Sequence, residues 1–137
     1  MDRKWGDMKK TILVLSLLVS LTAFSQKEKY SFSNLTGTWR NKSGAGLDVV
    51  DSNTIYIVHG GRRKLAKASY FDFSKNPVSL HLSVTNASRV VTLKSLLVFV
   101  SDNMLQWQVF DTDTRPVSFR YDKGDMLFLK KIEERNN

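Results

Sequence analysis

From residue 35 onward the chain is a train of short β-branched and aromatic runs, each closed by turn-forming residues. No stretch beyond residue 26 keeps the 3.6-residue period of an amphipathic helix. The clearest run is residues 78–85. It places Val78, Leu80, Leu82 and Val84 on one face and Ser79, His81, Ser83 and Thr85 on the other. His81, alternating with serines, is expected on the solvated side. Residues 54–58 form another run, β-branched and aromatic almost throughout. Further runs cover residues 37–40, 47–50, 65–73, 90–100, 104–110, 117–121 and 126–130. Leu105, Trp107 and Val109 share a face, as do Val117, Phe119 and Tyr121. The punctuation between runs is chemically specific. Gly60 and Gly61 supply positive φ, Asn86, Ala87 and Ser88 turn the chain, and Pro77 and Gly124 mark two more turns. Turn signals every 8–12 residues are an all-β spacing and predict eight or nine strands. A meander this long leaves two unpaired edges unless it closes. The expected fold is therefore all-β, an antiparallel up-and-down meander closing into a barrel of about eight strands.

The first 25 residues read as an address. Lys9 and Lys10 precede an apolar run from Thr11 to Phe24, and Ala23 and Ser25 give a small-residue cleavage signal before Gln26. The expected organisation is a signal peptide over residues 1–25, with Met8 an alternative start, and one domain over residues 26–137. Arg3, Lys4, Lys9 and Lys10 against Asp2 and Asp7 leave with the leader, which lowers the formal charge from +8 to +6. That balance suits a soluble domain. Export places the protein in the periplasm or outside the cell, with no stable membrane insertion after cleavage. Without cysteine there is no disulfide, no thiolate metal site, no thiol nucleophile and no lipid-anchor residue. His59 and His81 lack metal-ligand spacing, so no metal and no cofactor is expected. Export, and the lack of an aromatic platform, also argue against nucleic acid. No hydrolase or metalloprotease motif is present, and the chain is read as non-enzymatic.

At Leu35, Thr36, Gly37, Thr38 and Trp39 the chain resembles the lipocalin-like, or calycin, superfamily, whose barrels open with a Gly-x-Trp strand. The resemblance implies that Gly37 and Trp39 form a structural plug at one end of the barrel. The Thr-Asp-Tyr loop of that superfamily is missing. Where a lipocalin packs an Arg on the Trp, this chain offers Lys130 and Lys131, with Arg120 one strand earlier as a substitute. The same stretch resembles the first strand of avidins, with Asn41 and Ser43 at ligand-contact positions. The tryptophans that wall an avidin pocket are reduced here to Trp107, which weighs against biotin.

A lipocalin-like reading implies a small apolar molecule bound in the barrel mouth, with Trp107, Phe119 and Tyr121 as contact residues on inward faces. The alternative is a protein-interaction module, such as a calycin-type protease inhibitor or an envelope-complex component. It would act through an N-terminal arm, residues 26–33, and through loops. The basic turn Arg62, Arg63 and Lys64 is then a contact for an anion or an acidic partner, set against the simpler reading of a solvated hairpin tip.

Overall fold

The computed structural model describes residues 29–122 and 124–133. The expected signal segment, residues 1–25, lies outside the described residues, as do residues 26–28 of the lead-in. A one-turn helix, α1 (Phe32–Leu35), precedes eight strands: β1 (Gly37–Arg40), β2 (Gly46–Asp51), β3 (Thr54–His59), β4 (Arg62–Asp72), β5 (Val78–Asn86), β6 (Arg89–Ser101), β7 (Met104–Phe110) and β8 (Met126–Ile132). Each strand pairs antiparallel with the next, and β8 returns to β1 through Thr38 opposite Ile132 and Arg40 opposite Lys130. The result is a closed eight-stranded barrel.

Residues 117–121, expected as a strand, are irregular and lie within the connection from β7 to β8. The topology gives the reason. A ninth strand in an up-and-down meander runs in the same direction as the first, so the closing pair would be parallel. With residues 117–121 outside the sheet, β7 pairs directly with β8, Trp107 opposite Leu127, and the closure stays antiparallel. The basic turn is also shorter than expected. Only Gly60 and Gly61 form it, at φ +58° and +73°, and His59 already pairs with Arg62. Both central residues are left-handed, as a two-residue hairpin of matching twist requires. Arg62, Arg63 and Lys64 are therefore the first residues of β4.

The interior follows from alternation. Trp39, Leu47, Ile55, Leu80, Leu82, Leu97, Leu105, Trp107 and Leu129 are buried together. In β4 a bulge between Ala68 and Tyr70 shifts the register. It turns Tyr70 outward beside His81 and Phe71 inward beside Leu80, which explains the loose alternation of that run.

One end of the barrel is filled by aromatic rings. Phe32, from α1, lies 5.0 Å from Phe71 and 6.0 Å from Phe73 between ring centres. Phe99 stacks on Tyr30 at 4.3 Å and meets Trp39 edge-on at 6.4 Å. Trp39 is fully buried, and its Nε1 donates to the Leu35 carbonyl at 2.8 Å, which ties β1 to the end of α1. The Lys131 ammonium lies 5.5 Å from the centre of the Trp39 ring. Lys131 thus takes the position for which Lys130 and Arg120 were also candidates; Arg120 instead pairs with Asp122. Gly37, at φ +131°, leaves room for this arrangement, since a Cβ there would come within 2.8 Å of Lys131 Cε.

Candidate functional site

The opposite end holds the β1–β2 loop, the two-residue β3–β4 and β5–β6 turns, and the long β7–β8 connection. Here the walls separate. Ile57, Trp107, Val109 and Leu127, with Ala45 and His59 at the edge, line a cavity of about 290 Å³ that opens to solvent. Among the described residues, Asp125 is its one acidic lining residue. Three strands supply the apolar walls, because the inward positions of β3, β7 and β8 reach the mouth at Ile57, Val109 and Leu127. Trp107 is 3% exposed, and its Nε1 has no hydrogen-bond acceptor among the described residues.

A second, larger recess adjoins the first at Val109. Strand β6 pairs with β5 from Arg89 to Leu97 but meets β7 only from Lys94 onward, opposite Phe110. Among the described residues, none pairs as a strand with residues 89–93 of β6 on that side. Between this free edge and the β7–β8 connection lies a groove of about 840 Å³, lined by Val91, Leu93 and Phe110 on the barrel and by Arg115, Val117 and Arg120 on the connection.

The connection is held in place by the barrel's outer wall. Gln108 is fully buried on the outward face of β7. Its Oε1 accepts from the Arg120 amide at 3.0 Å, and its Nε2 donates to the Arg120 and Gly124 carbonyls at 2.5 Å and 3.4 Å. Arg115 reaches back to β4. Its guanidinium carbon lies 4.0 Å from the centre of the Tyr70 ring, and its Nη1 donates to the Tyr70 hydroxyl at 3.0 Å. Lys94 Nζ donates to the Asp113 carbonyl.

The register sets Tyr70, His81, Lys94 and Phe110 in one row on this wall. His81, expected on a solvated face, is only 7% exposed. Burial holds its pKa below the usual imidazole value, and the charges of Arg115 and Lys94 add to that depression. Its Nε2 has no hydrogen-bond partner among the described residues.

The residues singled out from the sequence part company here. Trp107 lines the inner cavity. Phe119 is half-buried on the connection and Tyr121 is 83% exposed there, and neither lines either recess. Asn41 Oδ1 accepts from the amides of Ser43 and Ala45 and from the Ser43 hydroxyl, at 3.0, 2.9 and 2.8 Å. Both side chains of the avidin-like stretch are engaged in shaping their own loop. Arg63 is not a free cation. It donates to Asp48 at 3.0 Å and lies 3.7 Å over the Tyr56 ring, while Arg40 meets the other Asp48 oxygen at 2.6 Å. Partial burial works to raise the Asp48 pKa, but hydrogen bonds and charge from Arg40 and Arg63 outweigh it, and the carboxyl sits below its ordinary value. Arg62 and Lys64 are exposed at the mouth and form no ion pair among the described residues.

Among the described residues no group of three or more His, Asp or Glu side chains is placed to hold a metal ion. No helix among them is long and apolar enough to cross a membrane. Compared with protein-family profiles, curated proteins and solved structures, the chain matches none of them.

Proposed function

We propose that this is an exported, non-catalytic, lipocalin-like barrel that binds a small, mostly apolar molecule in its mouth. The observation that carries this reading is the asymmetry of the interior. One end is packed with Trp39 and a cluster of phenylalanines, while the other keeps an open cavity walled by Ile57, Trp107, Val109 and Leu127. Apolar walls with few polar groups are the usual character of a small-molecule site, and about 290 Å³ is near the lower bound for one. In this reading Gly37 and Trp39 are the structural plug. Trp107 is the contact residue. Phe119 and Tyr121 come into play only if the connection folds inward on binding.

The test is titration of the protein lacking residues 1–25 with an environment-sensitive apolar fluorophore. Saturable binding, abolished by Ile57→Trp, which fills the cavity, supports the reading. No binding, or binding that Ile57→Trp leaves intact, refutes it.

A protein-interaction module remains the second reading, favoured by the exposed Val90, Val117 and Tyr121 around the free edge of β6. The arm version of that reading is weakened by how the lead-in is held. Tyr30 stacks on Phe99 and donates to Asp102 at 2.9 Å, and Phe32 and Ser33 belong to α1. A partner would meet the loops and the basic residues at the mouth instead.

A further inference from the structure

The inner cavity carries two chemical demands that an apolar molecule alone does not meet. The first is the Trp107 Nε1–H. A buried donor without an acceptor costs free energy, and this one belongs to a residue that lines the cavity. Bound ligand is a natural place for the missing acceptor.

The second demand is charge. Ile57 pairs with Lys64, and His59 pairs with Arg62. Directly paired residues share a face of the sheet, and Ile57 lines the cavity. Lys64 and Arg62 therefore stand on the inward face of β4, beside the lining residues Ile57 and His59 and outside the cavity's own lining. Neither is ion-paired among the described residues. This contrasts with Arg63 between them, which points to the outer face and is ion-paired with Asp48. Alternation thus sorts the three basic residues. One is structural, on the outside, and two crown the mouth. Among the described residues Asp125 is the single acid on the cavity's edge, which leaves the crown with an excess of positive charge.

Resting on the mouth-binding reading, we propose that the ligand is an amphiphilic organic acid. Its apolar body lies among Ile57, Val109 and Leu127, one of its oxygens accepts from Trp107 Nε1, and its anionic group meets Lys64 and Arg62 at the rim. An acid answers both demands with one molecule, whereas a hydrocarbon answers neither and an alcohol only the first.

Isothermal titration of the protein lacking residues 1–25 with three probes of equal chain length, decanoate, decanol and decylammonium, tests this. Decanoate should bind about tenfold or more tightly than decanol, and decylammonium more weakly than either. Raising the salt from 50 to 500 mM should narrow the gap between decanoate and decanol. The double variant Arg62→Gln with Lys64→Gln, both exposed and so expected to fold, should bring decanoate down to the affinity of decanol and leave decanol unchanged. Trp107→Phe should weaken decanoate and decanol alike, by about tenfold, which is one hydrogen bond's worth. Equal binding of all three probes, or a double variant that retains the preference for decanoate, overturns the acid assignment and leaves the mouth site standing. Failure of all three probes to bind removes the mouth site itself.

Discussion

Trp39→Phe removes a buried hydrogen bond and part of a buried ring at the point where the barrel closes. The indole is fully buried, and its Nε1 is bonded to the carbonyl of Leu35, itself fully buried. Losing the donor leaves that carbonyl without its partner, at about 1–3 kcal/mol. The smaller ring gives up packing against Phe99 and the Lys131 stem, about another 1–2 kcal/mol by area. The expected cost is about 3 kcal/mol. Trp39→Ala should cost about 5 kcal/mol, through cavity formation in addition, which approaches the whole stability of an ordinary small domain. Lys131→Met keeps the stem over the ring, loses only the cation, and should cost about 0.5–1 kcal/mol. Urea unfolding followed by far-ultraviolet circular dichroism measures all three. If Trp39→Phe costs less than about 1 kcal/mol at an unchanged m-value, the indole does not hold β1 to α1, and the account of the closed end is wrong.

Three further outcomes follow from other parts of the barrel. Ala87 and Ser88, at the β5–β6 turn, hold φ +48° and +71°, and a left-handed backbone is unfavourable for both residues. Ser88→Gly should stabilise the fold by about 1 kcal/mol, read as a higher urea midpoint; a drop in midpoint contradicts the turn geometry. His81 has a native pKa held below its ordinary 6.5 by burial, then by Arg115 and Lys94. As pH falls below about 6.5 the unfolded chain takes up this proton first, so stability should decline there and level off below the native pKa. His81→Gln should flatten that decline between pH 7.5 and 5.5, and an unchanged slope would place its origin elsewhere. Gln108→Leu removes the clamp on residues 120 and 124, and limited proteolysis should then cut the β7–β8 connection at least several-fold faster while the strands remain protected. Equal cutting rates would mean that the connection is held by Arg115 and Lys94 alone.

The meander and its closure were legible because half-buried strands announce themselves by alternation, as residues 78–85 do. Alternation also misled, for a definite reason. It identifies two faces but does not say that a loop lies across the second one. His81 and Gln108 alternate correctly to the outside and are buried all the same, because the β7–β8 connection lies against that wall, with Asp113 on Lys94, Arg115 on Tyr70 and Arg120 on Gln108. Residues 117–121 have a strand's alternation but no edge to join, since β7 and β8 already pair. The α1 turn escaped detection because four residues are too few to show a period. Trp107 was identifiable as a cavity-or-core residue from its face. The division of Arg62, Arg63 and Lys64 needed the register, which places Arg63 on Asp48 and the other two over the mouth.

The central claim, a filled end and an occupied mouth, is tested most directly by native mass spectrometry of the protein purified from its own host. The expected result is added mass from a small molecule that is lost on unfolding and absent from Ile57→Trp. A bare polypeptide mass in both proteins, together with no uptake of decanoate or decanol, would contradict it.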